Sequence, residues 1–302
     1  MTMLGTIRNL LTGRRSKIRL NVQRVGNLAA YKSHVDAMAP EYQRRWKLEL
    51  ALCNTDAEFT TPGLCYACQR QVEFKTDFQY SSTYVDGRLI PNWRERVLCD
   101  CQLNNRTRAS IQILEETLRA DKRASIYVAE QVTPLYETLR KRFRNLVGSE
   151  YLGERIPFGT CDERGVRNES ITKLTFATGS LDFALNFDVL EHIPNPEQGL
   201  REIYRVLRPN GSLLLSVPFL PHQQQTLIRA RLDSTGAVEH LEPPQYHGDP
   251  VSADGCLCFQ DFGWDLLDTM RSIGFREVDM LLYWSAELGY YGIEQMIIVG
   301  KK

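Results

Sequence analysis

Residues 188–219 read DVLEHIPNPEQGLREIYRVLRPNGSLLLSVPF. They carry, in one unbroken run, the end of a strand, an acidic-histidine loop, an amphipathic helix, a turn and a buried strand. The preceding LDFALNF, Leu181 to Phe187, is an apolar run of strand length, and a carboxylate follows where the chain leaves the sheet. Asn195 suits a helix N-cap and Pro196 the first helical position, with Leu200, Ile203, Tyr204 and Leu207 recurring at helical spacing. Asn210-Gly211 is expected to stop that helix, and Leu213, Leu214, Leu215 and Val217 to form a strand buried on both faces, as central parallel strands are. Strand, helix and strand in this order predict a right-handed crossover, half of a doubly wound α/β fold.

This segment resembles the fourth strand, following helix and fifth strand of class I methyltransferases that use S-adenosylmethionine. The similarity is to the group whose signature is an apolar strand ending in D-x-L-E-H, represented here by Asp188, Leu190, Glu191 and His192. The resemblance implies a mostly parallel seven-stranded sheet closed by two antiparallel strands. Those two are expected near Arg276 to Ser285 and Gln295 to Gly300, after a helix over Gln260 to Ile273, while Gly165 to Asn168 reads as a weak third strand. A doubly wound domain of another kind is the alternative, because the crevice at the carboxyl ends of parallel strands takes many ligands.

A chain of 302 residues, 43% hydrophobic and 25% charged, has room for one α/β domain and a smaller module. Lys plus Arg equals Asp plus Glu at 37 each, so overall charge makes no case for nucleic acid or another polyanion. The imbalance is local, since residues 1–50 hold ten basic side chains and three acidic ones. Residues 1–60 read as a basic helical or irregular arm with its best helix over Glu41 to Leu52, and residues 61–103 as a four-cysteine module. A connecting helix over 104–122 has Ile111, Leu114 and Leu118 at helical spacing. The methyltransferase-like domain spans 123–302 with an insertion over 220–259. No run has the length of a membrane span and no secretory signal core is visible, so the expected location is the cytoplasm, with a homo-oligomer left open.

Four of the eight cysteines are organised, Cys65 and Cys68 as C-x2-C and Cys99 and Cys101 as C-x-C. Two close pairs on separate turns can place four thiolates around Zn²⁺ at about 2.3 Å, and a module this short needs that help to fold. Four thiolates leave no open position, so the zinc is expected to be structural rather than catalytic. Free buried cysteines are the alternative. Cys256 and Cys258, in GCLCF, have the spacing of a second metal pair, but no partner pair is visible and they read as small buried hydrophobes.

The resemblance also implies where S-adenosylmethionine would lie. The family carries a glycine-rich turn after its first strand, whereas this chain has YVAEQVTPLY, with Glu130 near the family's first acid and no glycine after it. Glu150 stands where the family places the carboxylate that accepts both ribose hydroxyls, Glu169 or Ser170 near its adenine-binding acid, and Asp188 at the end of the fourth strand. A glycine-free first turn with E-x-x-T-P-L, S-E-Y-L at the second strand and HLEPPQYHGDP before FGWDLL is similar to a bacterial subfamily of methyltransferase-like proteins behind a cysteine ribbon.

Methyl transfer needs alignment of the nucleophile and, where that nucleophile carries a proton, a base near neutral pKa. His247, His192 and His240 are the candidates, with His222 a weaker fourth. Asp249 is placed to orient His247, while Arg229 and Arg231 suit an anionic substrate group. For each histidine the plainer alternative is a turn or loop hydrogen bond. The leading expectation is methyl transfer to a small-molecule or sugar-derived acceptor, without nucleic acid. The competing one is a non-catalytic binding or scaffold protein that has lost its cofactor turn.

Overall fold

Residue by residue, the computed structural model describes 18–248 and 255–302. The chain divides into two compact units. One contains residues 18–24, Ser33–Arg119 and Leu281–Met296; the other contains Val25–Lys32, Ala120–Met280 and Ile297–Lys302.

The chain enters through β1 (Val22–Val25) and α1 (Leu28–Leu52). The helix starts well before the expected Glu41 because the Asn27 side chain accepts a hydrogen bond from the Ala30 amide at 2.8 Å, capping its first turn. Pro40 lies inside it and removes one backbone donor without ending it. The first unit then pairs β2 (Phe59–Cys65) with β3 (Arg70–Thr76). A hairpin of β4 (Thr83–Val85) and β5 (Arg88–Ile90) follows, and β6 (Val97–Leu98) adds to β3. Asp86 and Gly87, both at positive φ, supply the two-residue turn of that hairpin. Its core gathers Leu48, Cys53, Phe74, Trp93, Val97 and Tyr291. Asn104 caps α2 (Asn105–Gln112), which runs on through a π-helical turn, Ile113–Thr117, and stops short of the expected Lys122.

The second unit carries β7 (Ser125–Val128), α3 (Pro134–Arg140), β8 (Asn145–Gly148), β9 (Leu181–Phe187), α4 (Pro196–Val206) and β10 (Leu207–Ser216), of which β9, α4 and β10 are the elements foreseen from residues 181–219. Strands β8, β7, β9 and β10 are parallel neighbours in that order. Leu213, Leu214 and Leu215 are fully buried, each burial worth about 1.5–3 kcal/mol, and α4 turns Leu200, Ile203 and Val206 inward. The insertion folds as three small pairs. Strand β11 (Leu227–Ile228) pairs with β16 (Gln260–Asp261), β12 (Ala230–Leu232) with β13 (Val238–His240), and β14 (Tyr246–His247) with β15 (Cys256–Leu257). Then come α5 (Asp265–Ile273), β17 (Asp279–Ser285) and β18 (Tyr290–Lys301), with β18 antiparallel to β10. The whole sheet runs β1-β17-β18-β10-β9-β7-β8, a mixed sheet with four parallel strands at one end.

Four sequence expectations are corrected. The helix ends at Val206, not at Asn210-Gly211; those two residues lie in a bulge of β10, where the register with β9 shifts between Leu207 and Ser212. The weak third strand over 165–168 is reduced to single bridges, Glu150 to Asn168 and Cys161 to Arg167. Asn168 is spent on the loop beside it: its side chain accepts from Leu152 N and donates to Gly153 and Ile156 carbonyls. The seventh strand is instead β1, which sequence pattern had left in the arm. The helix expected from Gln260 begins at Asp265, because Gln260–Asp261 pairs as β16.

Candidate functional site

Two clusters of side chains, one in each unit, have chemistry beyond packing. In the first unit Cys65 ends β2, Cys68 follows on the turn into β3, and Cys99 and Cys101 follow β6. Gln69 and Gln102, both at positive φ, close the two turns. The four sulfurs lie within 4.8 Å of one another, with Cys65 to Cys101 at 3.9 Å and Cys68 to Cys99 at 3.7 Å. A tetrahedron of thiolates around a 2.3 Å metal has an edge of about 3.8 Å, so the donor set and its spacing fit a zinc ion. The Cys68 amide also points at the Cys65 sulfur, 3.4 Å away. Arg108, fully buried, brings a positive charge to this thiolate group while donating to the carbonyls of Leu288 at 2.6 Å and of Val97 and Gly289 at 3.1 Å. Its guanidinium stacks 3.9 Å over Phe74.

In the second unit the carboxyl ends of the parallel strands hold the expected cofactor residues. Glu150, just after β8, is nearly buried, and its Oε1 accepts the backbone amides of Gln131 at 2.6 Å and Val132 at 2.9 Å. Gln131 bridges the same turn to the next loop, donating to the Gly165 carbonyl and accepting from the Arg167 amide. Glu130 accepts from the Thr133 hydroxyl, which in turn caps α3 at the Tyr136 amide. Glu169 is buried and taken by Arg167 and Thr175, and the Ser170 hydroxyl pairs with Thr172. Asp188, at positive φ, meets the Ser216 hydroxyl across the ends of β9 and β10. The residues present therefore fit the family's cofactor in part. A carboxylate stands at the second strand's end, but the first-turn amides that would face the methionine part are already bonded to Glu150.

Beside that rim, His192 and His247 come together with ring centroids 5.2 Å apart, joined by Cys258 and Glu191. The chain between β15 and β16 is stitched across the loop after β9: Phe259 N donates to Glu191 O at 2.8 Å, and the buried Gln260 amide donates to Leu190 and Ile193 carbonyls. That docking carries Cys258 to His192. Glu191 is fully buried, its Oε1 3.4 Å from His247 Nδ1 and 3.7 Å from His192 Nε2, distances of ion pairing without a hydrogen bond. Cys258 and then Glu191 push His247 up to about 10. Burial opposes charge on His192, but Cys258 and Glu191 outweigh it and the net shift is upward. Burial likewise opposes the Cys258 thiolate, and the two imidazoles outweigh it, leaving the thiol below its ordinary value.

The remaining candidates are elsewhere. His240 lies exposed on β13, opposite Ala230, and His222 packs against Tyr31. Arg229 is paired with Asp261 and Arg231 with Glu239. Asp249 lies outside the described residues; the carboxylate that faces His247 is Glu191.

Residues 133–215 match the family model described as "Methyltransferase domain". The match runs from the turn before α3 through β10, the stretch that holds Glu150 and Asp188. A probable S-adenosylmethionine-dependent methyltransferase of Mycolicibacterium smegmatis is 38% identical over 53 residues, covering 18% of this chain and 21% of that protein. An uncharacterized methyltransferase of Mycobacterium sp. strain JLS is 38% identical over 76 residues, covering 23% and 30%. The chain thus spans less than a third of the length of these curated relatives. Among solved structures, an S-adenosylmethionine-dependent methyltransferase from Mesorhizobium loti aligns with a TM-score of 0.39 at 12% identity, covering 64% of this chain and 98% of that one. The 1,6-didemethyltoxoflavin-N1-methyltransferase of Burkholderia thailandensis, bound to 1,6-didemethyltoxoflavin and S-adenosylhomocysteine, aligns at 0.37 and 16%, covering 65% and 77%. Over the matched stretches the chain is thus similar to methyltransferases, one of them named as probably S-adenosylmethionine-dependent.

Sequence reasoning reached His192 and His247 separately but missed Cys258 and Glu191 as their neighbours. The signal for Cys258 was slight: one thiol in GCLCF, eleven residues after a histidine, has no metal-site spacing of its own.

Proposed function

We propose that this protein transfers a methyl group from S-adenosylmethionine to a small-molecule or sugar-derived acceptor. The observation that carries the reading is the methyltransferase-domain match over residues 133–215, laid on parallel strands whose carboxyl ends present Glu150 and Asp188. Glu150 is the proposed partner of the ribose hydroxyls, with Asp188 beside the cofactor and the loop after β9 toward the acceptor. The cofactor supplies the electrophilic methyl group. For it to enter, Glu150 has to release the amides of Gln131 and Val132, which then become available to an anionic or polar ligand group.

That same contact favours a second reading, a non-catalytic binding protein in which the first turn is closed by its own carboxylate. Calorimetry with S-adenosylhomocysteine separates the two. Micromolar binding that weakens at least tenfold in Glu150→Gln supports methyl transfer; no heat at millimolar ligand leaves only the non-catalytic reading. We further propose that Cys65, Cys68, Cys99 and Cys101 hold a structural Zn²⁺, making residues 61–103 a zinc-ribbon-like module. Among the described residues no helix is long and apolar enough to cross a membrane.

A further inference from the structure

We propose that Glu191, His192, His247 and Cys258 form a second metal site, distinct from the four cysteines, that takes a divalent transition-metal ion of the zinc type beside the end of β9. Three independent features converge on it. First, one ligand atom from each of His192, His247 and Cys258 lies within 4.8 Å of the other two. Second, Glu191 is a completely buried carboxylate whose two oxygens have no hydrogen-bond donor, yet it faces both imidazoles. Ion pairing with the imidazoles leaves both oxygens without a hydrogen bond, and a cation at the centre of the cluster would satisfy them directly. One thiolate and one carboxylate balance a divalent ion while both histidines stay neutral.

Third, the outer contacts already orient the ligands. His192 Nδ1 is 2.9 Å from the Leu257 carbonyl and 4.0 Å from the Cys258 sulfur; with the Nδ1 proton donated to that carbonyl, Nε2, the nitrogen facing Glu191, has the free lone pair, and a small rotation of the Cys258 side chain brings its sulfur to the same side. His247 presents Nδ1 to Glu191, while its Nε2 is 3.1 Å from the Gln245 amide; a half-turn of that amide lets its oxygen accept Nε2–H once Nδ1 is coordinated. The ligands come from the loop after β9, from β14 and from the residue after β15, held together by Phe259 N to Glu191 O and by the Gln260 amide. Binding displaces to solvent the Nδ1 proton of His247 and any proton held by the Cys258 sulfur. One sulfur, two nitrogens and one oxygen suit zinc or cobalt, and not the all-oxygen preference of magnesium or calcium. The rival is a metal-free thiolate–imidazolium pair, in which Cys258 is a nucleophile and His247 its partner.

The test reads metal alone, on the full chain without S-adenosylmethionine, so its outcome is independent of whether methyl transfer is correct. Protein stripped with a chelator and reconstituted with Zn²⁺ is expected to retain two equivalents by plasma mass spectrometry. Zinc-edge X-ray absorption is expected to give an average of about 2.5 sulfur ligands per ion, five thiolates over two sites, against 4 for the cysteine cluster alone. Cys258→Ser and His247→Gln are each expected to hold one equivalent and return the sulfur count to 4. If a variant fails to fold, the wild-type absorption spectrum still decides. A wild-type protein that keeps a single equivalent surrounded by four sulfurs, or folded variants that keep both equivalents, overturns the proposal.

Discussion

Two buried glutamates, Glu150 and Glu191, have opposite circumstances. Glu150 accepts two short backbone hydrogen bonds from the turn after β7, whereas Glu191 accepts none. Removing Glu150 as alanine strands two amides, so Glu150→Ala is expected to lose about 2 kcal/mol in urea denaturation, while Glu150→Gln, which keeps an acceptor oxygen, stays near wild type. A larger loss for glutamine than for alanine would contradict this account of the turn. For Glu191 the size of the effect depends on metal. In stripped protein Glu191→Gln removes a buried carboxylate that faces only the two imidazoles at ion-pair distance and should move the thermal midpoint little; in zinc-loaded protein it removes a ligand and should lower it clearly. An equal shift in both states would show that no cation meets this carboxylate.

At the scale of elements, the bulge in β10 rests on Gly211. A Cβ there would meet the Arg208, Asp182 and Leu181 carbonyl oxygens at 2.9, 3.0 and 3.1 Å. Since all three are backbone, nothing soft can yield, and Gly211→Ala is expected to cost about 1–3 kcal/mol, read as a lower urea midpoint with an unchanged slope. The four-cysteine module has its own electrostatic tie. Asp77, just after β3, accepts from Arg96, just before β6, through both carboxylate oxygens, and Arg96 holds Asp77 below its ordinary value. A depressed carboxylate stabilises the fold above its unfolded pKa of about 3.9, and that contribution disappears as the pH falls through the folded value. Thermal midpoints of Asp77→Asn and wild type should therefore converge as the pH is lowered below about 4; a gap that stays constant from pH 7 to 3 would exclude the linkage.

For the molecule as a whole, the two units carry their metals, as proposed, in different ways. The cysteine module has short strands around a small core, so chelation is expected to expose the amides of β2, β3 and β6 to hydrogen exchange while β9 and β10 stay protected. Equal protection of β3 with and without chelator would remove zinc from the folding of that unit. The parallel strands need no such help, because Leu213, Leu214 and Leu215 with the inner face of α4 already form a closed apolar layer.

Residues 181–219 by themselves determined a strand, an amphipathic helix and a second buried strand, because period and capping are local properties of the chain. The cysteine pairs, close in sequence, were equally legible, and the structure brings all four sulfurs together. The third strand was not, since whether 165–168 pairs along its length depends on Asn168 being drawn off to the 152–156 loop. Nor was the use of β1 as the sheet's seventh strand, which no local pattern announces. The Glu191–His192–His247–Cys258 cluster belongs to the same kind: its members lie up to 67 positions apart and meet only because Phe259 and Gln260 dock on the loop after β9. Local periodicity reports which face of an element is apolar. Which polar groups then converge is decided by long-range packing, and only the tertiary structure holds that information.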